Sequence, residues 1–168
     1  IAKKYLDNTT IQSIYVTTNA SLPERVINFA KEISNYKNNI ELTFQISIDD
    51  FPEKHNSVRK IKDLFSKCID TYMSLKKMNN PNINPVVSIT VSEEDCDNIK
   101  DIYNYLNFDC NIDSIKCTIV RDEGVYNTEP KKKDKIYQAY KWLTDTLKDK
   151  ILEGEIDNYN SNSIQGRM

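Results

Sequence analysis

Glycine is scarce in this sequence, and several familiar patterns are missing altogether. Three glycines occur among 168 residues, with no GxGxxG and no P-loop pattern. Glycines let the backbone approach nucleotide phosphates closely, so their scarcity argues against a phosphate cradle. No apolar run approaches the roughly 20 residues that a membrane span needs, and no signal-peptide pattern opens the chain. The formal net charge of −2 gives no strong field for nucleic acid or an anionic membrane, so we expect neither as a partner.

The cysteines carry no metal-binding pattern. Cys68, Cys96, Cys110 and Cys117 form no CxxC pair, and the single histidine is not placed beside them in a ligand motif. Zinc and iron–sulfur sites usually show tighter ligand spacing. Cys68 falls on the apolar face of a predicted helix and Cys117 falls in a predicted strand, as small core residues do. We therefore predict free, reduced thiols and a cytoplasmic protein.

Runs of β-branched and aromatic residues predict strands that alternate with helices. The predicted strands cover residues 11–17, about 40–48, 86–91 and about 115–120. A turn-rich linker, NNPNINP, covers residues 79–85. The chain begins with Ile1 inside a predicted helix, and we expect it to be an excerpt of a longer polypeptide.

The helices are predicted from apolar periodicity and from their end signals. Ser21 and Glu24 have the spacing of a capping box, with Pro23 in the first turn. A second helix is expected from about Ser57, with its buried face comprising Val58, Ile61, Leu64, Phe65, Cys68, Ile69, Tyr72 and Leu75. Ser92 is expected to cap a third, with Ile99, Ile102, Tyr103 and Leu106 buried. A long helix is expected over 131–153, with Ile136, Tyr137, Tyr140, Leu143, Leu147 and Ile151 inward and Gly154 as its C-cap.

Four βα units in series predict an α/β fold with a parallel sheet and right-handed crossovers. The strands lack a clean alternation, which suggests burial on both faces. An open doubly wound sheet and an arc of a (β/α) barrel both fit. A complete eight-fold barrel typically needs about 250 residues, so about four parallel βα units would form a partial TIM-like barrel. We predict one domain over residues 1–154 and a polar tail or linker over 155–168.

Polar side chains follow every predicted strand at its carboxyl end, where ligand sites of parallel α/β folds lie. Hydroxyls, amides, carboxylates and a guanidinium could together bind the ribose, amine and carboxylate of a small polar cofactor. The alternative is that these residues only cap helices and form turns. The four segments are Thr17-Thr18-Asn19, Ser47-Ile48-Asp49-Asp50, Thr90-Val91-Ser92 and Arg121-Asp122-Glu123.

Two further candidates lie after the second strand. His55 could act as a general base, but its place in a polar loop favours a solvated or capping role. Asp49 and Asp50 could hold a divalent metal, although adjacent carboxylates in an extended segment point apart.

The run Ser47-Ile48-Asp49-Asp50, followed by His55-Asn56-Ser57-Val58-Arg59, resembles the radical S-adenosylmethionine (radical SAM) enzymes. Their fourth barrel strand often ends in Ser-x-Asp-Gly, followed by a His-Asp pair and an Ile-Arg-Gly turn. Other segments resemble the third, fifth and sixth strands in the same order, so the resemblance covers roughly residues 11–150. These segments are Tyr15-Val16-Thr17-Thr18-Asn19-Ala20, Val87-Ser88-Ile89-Thr90-Val91-Ser92 with Asn98, and Thr118-Ile119-Val120-Arg121. The pattern of these segments is most similar to the branch of the family that matures peptides and enzymes.

The sequence departs from this family at several positions. Ala20, Asp50 and Lys60 stand where the family has glycine, and Asn56 stands where it has aspartate. The CxxxCxxC loop that holds the family's 4Fe–4S cluster is absent. The resemblance implies that the chain starts between the second and third strands, with the cluster ligands upstream of this sequence.

The resemblance also implies a function for the parent protein. A reduced cluster splits S-adenosylmethionine into methionine and a 5′-deoxyadenosyl radical, which abstracts hydrogen from a peptide or other substrate. By the motif match, Ser47 and Asp49 would lie near the ribose or the substrate. Asn19 and Thr90 would line the lumen, and Arg121 would approach the S-adenosylmethionine carboxylate or adenosyl group.

Two other functions stay open from the sequence. One is a Mg²⁺-dependent hydrolase or phosphotransfer domain that uses Asp49 and Asp50. The other is a non-catalytic α/β interaction module, in which the polar strand ends are only caps. The excerpt alone lacks the cluster ligands, so the sequence leaves its own enzymatic status open.

Overall fold

A computed structural model describes residues 1–120 and 130–153, with side chains from Lys133 onward in the last helix. Four strands form one parallel sheet in the order β1-β2-β3-β4, which confirms the predicted α/β class and is consistent with a partial TIM-like barrel. The strands are β1 (Ser13–Thr18), β2 (Glu41–Ser47), β3 (Ile83–Val91) and β4 (Ile115–Ile119). The α-helices are α1 (Ala2–Asn8), α2 (Pro23–Tyr36), α3 (Pro52–Arg59), α4 (Leu64–Lys77), α5 (Ile99–Asn104) and α6 (Pro130–Leu152).

The chain divides into two compact units. The first comprises Ile1–Ser47 and Pro52–Val86, and the second comprises Ile48–Phe51 together with residues 87–120 and 130–153. In the first unit β1 and β2 pair in parallel from Ser13 opposite Glu41 to Thr18 opposite Ile46. In the second, β3 and β4 pair in parallel from Val87 opposite Ile115 to Val91 opposite Ile119.

The core of the first unit lies on one face of β2. Leu42, Phe44 and Ile46 are fully buried, while the alternate residues Gln45 and Ser47 are half-buried. Helix α2 covers this face, and the Phe29 ring meets the Phe44 ring edge-on at 6.3 Å between centroids. This alternation follows from the two-residue side-chain period of a strand. The face of β2 that carries Gln45 and Ser47 is therefore outside this apolar core.

The core of the second unit forms around β3. Val87, Ile89 and Val91 are fully buried, and Val86 and Ser88 on the other face are buried as well, so the predicted burial on both faces is confirmed in the middle of this strand. Helix α5 presents Ile99 and Ile102, continues into a π-helical turn over Tyr105–Asp109, and follows a short 3₁₀ turn over Cys96–Asn98. The predicted buried stripe of Ile99, Ile102, Tyr103 and Leu106 is confirmed.

Several local predictions are wrong, each for an identifiable reason. The capping box does not form, because α2 starts at Pro23 with Leu22 at the N-cap and no side-chain cap bond. The helix expected from Ser57 is two helices, α3 and α4, separated where Lys60 and Asp63 take positive φ angles of 54° and 56°.

Burial predictions also fail at particular positions. Val58 is 56% exposed and Tyr137 is 60% exposed, whereas the apolar periodicity predicts both inside. Strand β1 alternates between exposed and half-buried residues instead of being buried on both faces, because it is an edge strand. Strand β3 begins at Ile83, inside the segment predicted to be a linker.

Other predictions either hold or fall outside the described residues. All four cysteines are free, as predicted. No helix among the described residues has the length and apolarity for a membrane crossing. The loop over 121–129, the Gly154 C-cap and the tail over 155–168 lie outside the described residues.

Candidate functional site

Strand β1 ends in a tight turn that carries Asn19. The Ala20 amide donates to the Thr18 hydroxyl at 3.0 Å, and the Ser21 amide donates to the Asn19 side-chain oxygen at 3.1 Å. Ala20 is fully buried and has a φ of 51°, in the left-handed region that favours glycine. The turn therefore fixes the direction in which Asn19 leaves the strand.

The left-handed conformation at Ala20 has a parallel at Lys60. Both positions hold glycine in the radical SAM pattern, and both have positive φ in this chain, 51° and 54°. Holding a non-glycine residue there costs roughly 1–2 kcal/mol. Both residues thus hold a backbone conformation that glycine adopts most readily. Asp50, the third such position, has no positive φ.

The thiol of Cys68 lies where the ends of β1 and β2 meet. Its Sγ is 3.3 Å from the Asn19 carbonyl oxygen and 3.9 Å from the Ser47 carbonyl oxygen. The same Sγ is 3.9 Å from Nε2 of His55. The structure therefore brings two predicted site residues, Asn19 and Ser47, together around one side chain of α4. The sequence analysis did not predict that Cys68 would contact the two strand ends. The one signal was a cysteine on the apolar face of a predicted helix.

His55 is not in a solvated loop, as the sequence suggested, but in helix α3. It is 1% exposed, and its ring meets the Phe65 ring edge-on at 6.2 Å between centroids. Its neighbour Asn56 accepts a hydrogen bond from the Phe65 amide at 2.8 Å, near the start of α4. An amide oxygen satisfies this orphan helix donor as a carboxylate would, so asparagine in place of the family's aspartate keeps the acceptor.

In the second unit, a set of carboxylates lies after β2 and β3. Asp50 is buried, and its side chain accepts from the Phe51 amide at 2.8 Å. Asp95 is 4% exposed and accepts from both the Ser92 amide, at 2.7 Å, and the Ser92 hydroxyl, at 3.0 Å. Asp49 is half-buried.

Burial raises the pKa of Asp95 to about 6, and the charges of Asp50 and Asp49 add to that effect. The two hydrogen bonds from Ser92 oppose it, because they favour the charged carboxylate. The loop after β3 is therefore held by a group whose pKa, about 6, lies close to neutral pH.

Thr90, predicted to line a lumen, is half-buried on β3. Its hydroxyl accepts from the hydroxyl of Thr118, its partner on β4, at 3.3 Å. Further back on the same face, Ser88 lies opposite Lys116. Burial lowers the pKa of Lys116. This face of β3 and β4 is thus polar, whereas the opposite face carries the core.

The structure separates the predicted site residues into two groups. Asn19 and Ser47 belong to the first unit, whereas Asp49 and Thr90 belong to the second. Arg121 lies outside the described residues. Within residues 1–120 and 130–153, no three His, Cys, Asp or Glu side chains are grouped so that they could hold a metal ion.

The parallel α/β fold is consistent with a partial TIM-like barrel, and solved structures of radical SAM enzymes share this fold. The chain is similar to structures of anSMEcpe, an anaerobic sulfatase-maturating radical SAM enzyme. A polyhistidine-tagged form with bound AdoMet matches over 92% of this chain at 21% identity, with a TM-score of 0.60. The native form with bound AdoMet and Kp18Cys peptide matches over 84% of this chain at 16% identity, with a TM-score of 0.56.

These comparisons confirm, for the fold, the resemblance seen in the sequence. The matched region spans 41% of the tagged chain and 38% of the native chain. At these identities the likeness concerns the fold. No protein-family model and no curated protein matches the sequence.

Proposed function

We propose that this chain is part of the barrel of a radical SAM enzyme and contributes one side of its S-adenosylmethionine site. The observation that carries the proposal is the fold match to radical SAM enzyme structures over 92% of the chain, at a TM-score of 0.60. The polar side chains at the strand ends support it, because that edge is where parallel α/β folds bind ligands.

The chain's own residues suit the polar parts of S-adenosylmethionine. The Asp49 carboxylate would accept from the ribose hydroxyls, and the Ser47 hydroxyl would donate to or accept from them. The Asn19 amide would donate to cofactor oxygens from a turn of fixed direction, and the Thr90 hydroxyl would line the lumen. Arg121 would pair the carboxylate of the cofactor. The half-buried state of Asn19, Ser47, Asp49 and Thr90 supports these roles, since each is partly accessible.

The residues present do not fit the 4Fe–4S cluster. The CxxxCxxC loop is not in this sequence, and three of its four cysteines are buried as core residues. Cluster ligands would therefore come from outside this sequence, and the roles proposed for these side chains concern binding and orientation alone. A reduced cluster held elsewhere in the parent protein would supply the electron that splits S-adenosylmethionine into methionine and a 5′-deoxyadenosyl radical.

Three further assignments belong to the same proposal. Residues 1–154 form the partial barrel, and residues 155–168 form a tail or linker. The substrate is a peptide or protein segment, by analogy with the Kp18Cys peptide in the solved anSMEcpe complex. The protein acts in the cytoplasm, where its free thiols stay reduced.

The test is S-adenosylmethionine binding by the chain within its complete coding sequence, measured anaerobically by calorimetry. We expect Ser47→Ala and Asn19→Ala each to raise Kd by about tenfold, which corresponds to ~1.4 kcal/mol. Ser13→Ala is the matched control, because Ser13 is an exposed hydroxyl at the opposite end of β1. A folded wild-type protein that binds no S-adenosylmethionine would contradict the proposal.

A further inference from the structure

We infer that Cys68 is a positioning residue for this cofactor site. Its buried thiol, in contact with His55, donates to the main chain at the end of β1 and so sets where Asn19 points. The inference rests on the proposed function, because it concerns the same S-adenosylmethionine site.

The geometry gives the thiol one short contact and two longer ones. A thiol has one proton, and the Asn19 carbonyl oxygen, at 3.3 Å from Sγ, is the nearer of the two carbonyl acceptors. The Ser47 carbonyl oxygen and His55 Nε2 are each at 3.9 Å. A His55 tautomer with its proton on Nε2 would donate to the sulfur, leaving the S–H proton directed at Asn19. The thiol proton then links the end of β1 to helix α4, and the end of β2 lies beside the same sulfur.

The Asn19 carbonyl is a place where such a link matters. It immediately precedes Ala20, whose φ of 51° is unfavourable for a residue with a Cβ atom. Without glycine, this turn has a competing conformation with negative φ, which would carry the Asn19 carbonyl and side chain elsewhere. A donor bound to the carbonyl stabilises the observed turn against that alternative.

Burial separates this role from a reactive one. Cys68 is 0% exposed and His55 is 1% exposed. A thiol and imidazole enclosed in this way cannot reach a substrate, so nucleophilic chemistry does not explain their pairing. The same burial strengthens the hydrogen bond from the thiol to the carbonyl oxygen, because few water molecules compete for either group.

The test compares substitutions of Cys68 in the complete protein. Cys68→Val keeps an apolar side chain of similar size and removes the donor, whereas Cys68→Ser keeps a donor. Cys117→Ala is the control, since Cys117 is another buried free thiol, 8% exposed, outside the first unit. Thermal unfolding is measured beside the Kd for S-adenosylmethionine and beside KM and kcat in an assay that follows release of 5′-deoxyadenosine. Cys68→Ala serves as the second donor-free variant if Cys68→Val does not fold.

We expect Cys68→Val to raise Kd and KM for S-adenosylmethionine about three- to tenfold with kcat nearly unchanged, and Cys68→Ser to restore most of the loss. Cys117→Ala should lower the melting temperature without changing Kd. Equal Kd values for wild type and folded Cys68→Val would overturn the positioning role alone. A Kd that follows the melting temperature in all variants, Cys117→Ala included, would also overturn it. Wild type without any binding would instead refute the proposed function, and this inference with it.

Discussion

The two units fix their strand ends with different chemistry. In the first unit, the thiol of Cys68 lies 3.3 Å from the Asn19 carbonyl oxygen at the end of β1 and 3.9 Å from the Ser47 carbonyl oxygen at the end of β2. In the second, the end of β3 is held by the Asp95 carboxylate, which accepts two hydrogen bonds from Ser92. Neutral hydrogen bonds depend weakly on pH, whereas a buried carboxylate depends on it strongly. The second arrangement is therefore expected to respond as the pH passes through the raised pKa of Asp95, about 6.

The largest effect should come from breaking the strained turn of the first unit. Ala20→Val places a β-branched side chain at a φ of 51° in a fully buried position. Overpacking costs about 1–3 kcal/mol, and the left-handed conformation adds to that. We expect a loss of about 3–4 kcal/mol in the free energy of unfolding, measured with urea.

The matched control for that variant is Ala30→Val, in helix α2. Ala30 is also fully buried but lies inside an α-helix, so it has only the overpacking cost. The excess loss of Ala20→Val over Ala30→Val reports the added cost of a β-branched side chain in the left-handed conformation. Equal losses would mean that the left-handed turn is not a constraint.

A second change concerns the helix donor that Asn56 satisfies. Asn56→Ala leaves the Phe65 amide without its acceptor at the start of α4, and losing such a cap costs typically about 1 kcal/mol. Asp63→Asn is the control, because Asp63 is the N-cap by position but makes no side-chain cap bond. We expect urea denaturation to show a larger loss in the free energy of unfolding for Asn56→Ala than for Asp63→Asn. A larger loss for Asp63→Asn would show that Asp63, and not Asn56, caps α4.

The pH response of the second unit can be isolated with Asp95→Asn. Asn can keep both bonds to Ser92, since its oxygen accepts from the amide and its NH₂ donates to the hydroxyl. The folded-state pKa, about 6, lies above the ordinary 3.8, so burial favours the protonated form. The stability contribution of Asp95 is therefore greatest below pH 3.8 and falls as the pH rises to about 6.

We accordingly expect Asp95→Asn to raise the free energy of unfolding at about pH 7.5, on the order of 1 kcal/mol after solvent screening. The gain should shrink at about pH 5 and vanish near about pH 4. A gain that is the same under acidic and neutral conditions would show that ionisation of Asp95 is not its cause.

The smallest expected effect is that of magnesium. Asp49 and Asp50 follow β2, yet the described residues contain no group of three acidic, cysteine or histidine side chains that could hold a metal. Millimolar Mg²⁺ should leave the melting temperature unchanged, because only binding to the folded state would raise it. A rise that Asp49→Asn abolishes would favour the hydrolase or phosphotransfer alternative.

Much of the fold follows from local sequence patterns. The apolar run over residues 86–91 predicts a strand buried on both faces, and Val87 and Ile89 on one face and Val86 and Ser88 on the other are indeed buried. The strand ends that carry Asn19 and Ser47 were also predictable, because apolar runs stop there. The predictions that failed concern features that depend on tertiary contacts. His55 is a lone histidine in the polar stretch around Lys54 and Asn56. Nothing in that stretch predicts that it will be buried in contact with a thiol thirteen residues later.

The break between α3 and α4 shows a similar limit. Lys60 and Asp63 have positive φ, but neither is glycine, so residue type does not mark the turn. The resemblance to radical SAM enzymes does mark it at Lys60, because the family has glycine there. The role of Cys68 could not be read from sequence, since its carbonyl acceptors are 21 and 49 residues away.

The most direct test of the account is whether this barrel segment supports cleavage of S-adenosylmethionine. The chain, expressed within its complete coding sequence and reconstituted anaerobically with iron and sulfide, would be reduced with dithionite, and 5′-deoxyadenosine would be quantified by chromatography. The account predicts 5′-deoxyadenosine in wild type, about tenfold less at limiting S-adenosylmethionine in Ser47→Ala, and no change in Ser13→Ala. No 5′-deoxyadenosine from a folded, reconstituted wild-type protein would contradict it.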